Sequence, residues 1–158
     1  MPPQPGESVS PPEIHTYENL TALSEAAARE IVGDARETVD RGNEYTIALA
    51  GGSTPQPLYE LLAGEEGKRM PWEKTHLFWG DERFVPHDHP ASNYRLVEES
   101  LLEEIELTEG QVHPIPTDVE SPERAAEIYE AMLRDFFSYR DRELTFDLVL
   151  LGLGEDGH

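Results

Sequence analysis

Three short stretches carry the residue types from which a reactive site can be built: Gly51-Gly52-Ser53-Thr54, Gly80-Asp81-Glu82-Arg83, and the run from Gly152 through Asp156 and Gly157 to His158. The first places backbone N–H groups and two hydroxyls where a helix is expected to begin, which makes a ready anion site. It lacks the lysine of a nucleotide P-loop. Ser53 and Thr54 would serve equally well as plain helix caps, and the stretch alone leaves both readings open. The second stretch offers two carboxylates and a guanidinium, which form either a site or a surface ion pair. The third ends in an acid and an imidazole, the latter able to exchange protons near neutral pH. There is no GxSxG elbow and no cysteine, so a covalent acyl-enzyme is disfavoured. Together the stretches suggest a phosphorylated substrate and general acid–base chemistry with water as the nucleophile. His87-Asp88-His89 lies in a proline-rich loop without a third ligand at suitable spacing, so no metal is expected.

These stretches need elements to position them. Each follows an apolar run read as a strand: Tyr45 to Ala50, Thr75 to Trp79, and Phe146 to Leu151. The last is interrupted only by Asp147 and suits a strand buried on both faces. Gln111 to Ile115 reads as a further short strand, ending in prolines. Helices alternate with the strands. Asn19 caps a helix to Arg41, with Leu20, Leu23, Ala27, Ile31, Ala35 and Val39 as its apolar stripe and Gly42 at its end. Gln56 to Ala63 reads as the next helix, with Thr54 as a natural cap and Pro55 suited to the first helical position. Ser92 caps a helix to about Glu104. Ser121-Pro122 opens another, whose stripe is Ala125, Ile128, Tyr129, Met132, Leu133 and Phe136. Such alternation predicts an α/β, Rossmann-like fold, a mostly parallel sheet with helices on both faces. In a parallel sheet every carboxyl strand end lies along one edge, so the fold gathers the three stretches without sequence proximity.

Composition narrows the partners. Twelve basic residues against 33 acidic ones give a net charge of −21. Such a field repels nucleic acid and acidic membranes. Only Lys68 and Lys74 are lysine, which favours a salt-adapted surface over an acidic one without meaning. No stretch approaches the ~20 apolar residues of a membrane span. The N-terminus shows neither basic region nor apolar run, so no signal peptide is expected. Residues 1–13, with five prolines, read as a disordered tail. Residues 14–158 then form one domain. A natural domain rarely stops on a glycine-rich loop after a strand, so this domain is expected to be partial, the N-terminal portion of a longer protein.

The blocks IALAGGSTPQPLYELL, FWGDERFVPHDHPASNYRL and FDLVLLGLGEDGH closely resemble the 6-phosphogluconolactonase family, over most of the chain after the tail. The resemblance implies hydrolysis of 6-phospho-D-glucono-1,5-lactone to 6-phosphogluconate in the oxidative pentose phosphate pathway, without metal or redox cofactor, in the cytoplasm. It implies His158 as general base; Asp156, two residues before it, reads apart from the resemblance as orienting either that imidazole or the loop. Arg83 would hold the phosphate or the developing oxyanion. Gly51, Gly52, Ser53 and Thr54, with Asp81, Glu82, Asn93 and Arg95, would bind substrate. Arg95 reads equally well as part of a solvated helix face. The family's Gly-Asp-Gly-His block is usually followed by a further segment that this chain does not contain, and a catalytically inactive fragment is one alternative. Another is the related glucosamine-6-phosphate deaminases, which share the first and third blocks; Trp79-Gly80-Asp81-Glu82-Arg83 favours the lactonase. A sugar-phosphate sensor would generally add a DNA-binding domain, and no basic patch for one is present.

Overall fold

The structure, a computed structural model, describes residues 11–140 and 143–154. The first ten residues of the expected tail lie outside it, and residues 11–16 are exposed and without regular structure. The order is α1 (Leu20–Asp40), β1 (Tyr45–Leu49), α2 (Gln56–Ala63), β2 (Thr75–Trp79), α3 (Asn93–Ser100), β3 (Val112–His113), α4 (Pro122–Tyr139) and β4 (Leu148–Val149). The strands form a parallel sheet in the order β3-β2-β1-β4.

Strand alternation gives this sheet two different faces. Tyr45, Ile47 and Leu49 of β1 and Leu77 and Trp79 of β2 point to one side and pack with α1, α2 and α3. Ala48 and Phe78 point to the other and pack with Phe136 and Phe137 of α4. The segregation follows from chain direction. From β1 through β2 to β3 the chain moves one way across the sheet; to reach β4 it turns back. Right-handed crossovers then put the returning helix on the opposite face.

Local signals hold at several element ends. Asn19 caps α1 through a 2.9 Å bond from the Ala22 amide. Gly42, at φ +89°, ends that helix with the αL turn that suits glycine. Ser92 and Ser121 cap α3 and α4.

Four expectations are corrected. The buried face of α1 is Ser24, Ala28, Ile31, Val32 and Ala35, while Leu20 and Leu23 are 42% and 40% exposed. Ala28, Ile31, Val32 and Ala35 of that face join the core with Leu58, Tyr59 and Leu62 of α2, and Leu20 and Leu23 lie outside that cluster. Helix α2 spans Gln56–Ala63 as expected, but its start is built differently. Pro55 holds the cap position, Pro57 the first turn, and no side chain caps it, so Thr54 is not a cap. Strand β3 is only two residues long, because Pro114 cannot donate to a ladder. Finally, β4 is not buried on both faces. Leu148 and Leu150 pack against the core, but Val149 is 44% and Leu151 85% exposed. Among the described residues β4 pairs with β1 alone, and α4 covers the Ala48–Phe78 side of the sheet rather than β4.

Candidate functional site

Strand β1 is central, with β2 on one side and β4 on the other. The Gly80 amide donates to the Leu49 carbonyl at 2.9 Å, and the Leu150 amide to the Ala48 carbonyl at 2.9 Å. The strand ends are thus held flush, and all three loops leave from the same edge. Strands β1 and β4 are parallel neighbours, but the chain winds away from β1 in one direction to β2 and β3 and in the other to β4, which makes the gap between their loops a topological switch point, the place where open α/β sheets hold ligands.

Two tyrosines fix the loop origins. Tyr59 of α2 is fully buried. Its hydroxyl donates to the Ala50 carbonyl at 2.6 Å and accepts from the Ala50 amide at 3.1 Å. Tyr129 of α4 treats Trp79 alike: its hydroxyl accepts from the Trp79 amide at 3.0 Å and lies 3.1 Å from the Trp79 carbonyl. Each hydroxyl satisfies a strand's last backbone groups just before a candidate loop starts. Burial raises both phenols, Tyr129 to about 12, so they stay protonated and keep their donor hydrogens. Sequence reasoning placed Tyr129 in a core stripe and did not single out Tyr59. Periodicity reports which face a residue occupies, not where its hydroxyl ends.

In the first loop Gly52 adopts φ +93°, the left-handed region that favours glycine. Ser53 and Thr54 are exposed, and among the described residues their hydroxyls have no hydrogen-bond partner. In the second loop the Asp81 carbonyl and Oδ1 accept from Asn93 Nδ2 at 3.1 and 3.3 Å. Glu82 turns toward the start of α3. Its Oε1 accepts from the Asn93 amide at 2.7 Å and its Oε2 from the Tyr94 amide at 2.8 Å. Arg83 is exposed, and among the described residues its guanidinium has no acidic partner. By contrast, Arg29, Arg41, Arg69, Arg95, Arg124, Arg134 and Arg140 each lie within 4.0 Å of a carboxylate. Arg36, on α1, is the other described arginine without one.

The structure brings Gly51, Asp81, Glu82 and Asn93 into contact and leaves Arg95 apart. The Arg95 guanidinium bonds Glu99 at 2.6 Å and the Asp88 carbonyl at 2.8 Å. It lines a separate cleft of about 410 Å³ with Gln56, Glu60 and Glu99. A larger cleft of about 530 Å³ opens beside the second loop, lined by Gly80, Asp81, Glu82, Phe84, Tyr129 and Leu133 among others. Asp156 and His158 lie outside the described residues. The loop that carries them leaves β4 at the shared edge through Gly152 and Gly154.

Comparison with known proteins supplies the family. A family model described as glucosamine-6-phosphate isomerases/6-phosphogluconolactonase matches residues 18–158. A 6-phosphogluconolactonase from Synechocystis is 42% identical over 148 residues, covering 93% of this chain and 60% of that protein. The solved 6-phosphogluconolactonase of Thermotoga maritima superimposes with a TM-score of 0.74 at 34% identity, covering 85% of this chain and 57% of that one. That of Trypanosoma brucei superimposes at 0.76 and 33%, covering 94% and 62%. The chain spans about 60% of the length of the first curated relatives it matches.

Proposed function

The chain belongs to the family of glucosamine-6-phosphate isomerases and 6-phosphogluconolactonases, and from that premise we propose that the protein hydrolyses 6-phospho-D-glucono-1,5-lactone to 6-phosphogluconate. The observation that carries the reading is the state of Arg83. In a chain of net charge −21, an arginine at the ligand edge of the sheet has a guanidinium that no carboxylate of the described residues pairs, which supports its use by an anionic substrate. The Ser53 and Thr54 hydroxyls and the backbone around Gly52 offer further donors at the same edge.

In this mechanism His158 takes a proton from water as the water oxygen attacks the lactone carbonyl carbon. The carbonyl oxygen becomes an oxyanion. Arg83 stabilises either that oxyanion or the substrate phosphate, and Asp156 holds the imidazole in the orientation that accepts the proton. Collapse breaks the bond from the carbonyl carbon to the ring oxygen. His158 returns its proton to that oxygen, leaving a carboxylic acid and a hydroxyl. The acid then ionises in water. The partner is a phosphorylated sugar lactone, and a cytoplasmic location goes with the same reading. Among the described residues no helix is long and apolar enough to cross a membrane.

The test is hydrolysis of freshly made lactone, followed as 6-phosphogluconate above the spontaneous rate, with glucosamine 6-phosphate as control. His158→Ala is expected to abolish turnover while phosphate affinity stays within about twofold, since the base is separate from the anion donors. Near-normal turnover in that variant would remove His158 from the mechanism. Ammonia released from the control would move the protein to the deaminases, and no turnover of either compound would mark it as inactive.

A further inference from the structure

Asn93 opens helix α3, yet it is only 6% exposed, and it touches both described candidate loops. Its Nδ2 reaches back to the Asp81 carbonyl and carboxylate. Its amide lies in the space that a Cβ on Gly51 would occupy, with Oδ1 and Cγ both overlapping that position. The Asn93 amide in this place therefore requires a glycine at 51. Gly51 leaves the slot, Asn93 fills it, and the filled slot keeps the end of β1 against the Asp81 turn.

Glu82 completes the junction from the other side. Its Oε1 accepts from the Arg83 and Asn93 amides, both at 2.7 Å. Its Oε2 accepts from the Tyr94 amide at 2.8 Å and from Ser92 Oγ at 3.1 Å. An ionised carboxylate has about four lone-pair sites, and here four donors occupy them. The carboxylate also sits at the amino-terminal end of α3, where it takes up amides that have no partner within the helix. Such a group has little acceptor capacity left for a sugar hydroxyl. It binds the start of α3 and the backbone of Arg83 instead.

We infer that Asn93 and Glu82 are positioning residues that join the Gly51–Thr54 loop, the Gly80–Arg83 loop and the amino terminus of α3 into one rigid unit, so that the separation of the Ser53 and Thr54 hydroxyls from Arg83 is set before substrate arrives. The unit makes the pairing of glycine 51 with asparagine 93 part of the site although neither need touch substrate. The catalytic consequence rests on the lactonase reading; the mechanical coupling does not.

The test uses the full chain. Amide hydrogen exchange in Asn93→Ala is expected to speed up by about tenfold or more in both loops, at residues 51–54 and at 81–83, while α1 and β1 keep their protection. Gly51→Ala alone is expected to destabilise strongly, and Gly51→Ala with Asn93→Ala to regain much of that loss, because the removed amide leaves room for the methyl. Loosening confined to one loop, or additive effects of the two substitutions, would overturn the coupling. Turnover provides the second readout. If the parent chain hydrolyses the lactone, Asn93→Ala is expected to lower kcat by about a hundredfold, as displaced catalytic groups do, and unchanged kcat with loosened loops would overturn the positioning role. A parent chain without lactonase activity would remove the lactonase reading, and with it the catalytic consequence, while the exchange and rescue measurements would still decide whether the loops are coupled.

Discussion

The candidate site shows how one residue type takes different duties according to its neighbours. Arg95 and Arg83 lie 12 positions apart by number, and both read as anion ligands in sequence. Arg95 is spent on Glu99 and the Asp88 carbonyl, whereas Arg83 has no carboxylate among the described residues. Glu82 reads as a ligand beside Asp81, but its four acceptor positions serve α3 and the Arg83 amide. Sequence carries the presence of these groups, while only folded geometry carries their partners. Arg83→Lys tests the remaining cation. It keeps the charge but loses the planar fork that can grip a phosphate or carboxylate-like oxygen pair. Lactone turnover, measured as kcat/KM, is expected to fall by about tenfold or more. Unchanged kinetics would reduce Arg83 to an ordinary surface charge.

At the scale of elements, helices do more than cover the sheet. Helix α2 and helix α4 each lend a tyrosine hydroxyl to the end of a strand, Tyr59 to Ala50 and Tyr129 to Trp79. These bonds make the place where strand becomes loop a fixed point. Tyr59→Phe preserves the ring and its packing but strands the Ala50 amide and carbonyl. The expected loss is about 1–3 kcal/mol of unfolding free energy, the usual cost of unsatisfied polar groups, read from urea denaturation. A loss below about 0.5 kcal/mol would mean that water replaces the hydroxyl freely. Strand β4 is tied to β1 by another polar device. The Thr46 amide and hydroxyl both donate to Asp147 Oδ2 at 2.7 Å, and the Asp147 amide donates to the Thr46 carbonyl at 3.0 Å. The acid that interrupts the last apolar run therefore helps to place β4 beside β1.

At the scale of the whole molecule, stability is linked to pH through a cluster outside the candidate site. His76 Nδ1 lies 3.2 Å from His113 Nε2, His76 Nε2 lies 3.3 Å from Glu44 Oε2, and Arg140 Nε lies 2.5 Å from the same oxygen. Phe78 and Phe136 pack around the His113 ring. Burial holds the His113 imidazole down to about 4, assisted by repulsion from His76 when that ring is protonated and from the Arg140 charge. Burial also lowers His76, against the pull of Glu44. Glu44 is itself lowered: burial opposes this, but the Arg140 bond and charge outweigh it. A histidine whose folded value lies below its unfolded one binds its proton more readily when unfolded. The stability it confers is therefore full above about pH 6.5 and drains away as pH falls toward 4. Glu44 adds loss in the same direction at the acid end. The urea midpoint is expected to fall between pH 7 and pH 5, and His113→Phe to flatten that dependence. A parent midpoint independent of pH over this range would contradict the buried neutral state.

Sequence alone determined the alternation of helix and strand, the caps at Asn19, Ser92 and Ser121, and the adjacency of each glycine-bearing loop to a strand end. These depend on near neighbours: side-chain period, a hydroxyl three residues from an amide, a proline at a helix start. From them came the parallel α/β fold and the family blocks. Tertiary structure decided the rest, because it depends on groups far apart in the chain. It set the order β3-β2-β1-β4 and hence the switch point beside β1. It turned Ser24, Ala28, Ile31, Val32 and Ala35 of α1 inward and Leu20 and Leu23 outward. It filled the space above Gly51 with Asn93 and assigned Glu82 to α3. A polar group's partner is chosen by whatever donor or acceptor the closed fold brings within about 3 Å, and periodicity along the chain carries no record of that choice.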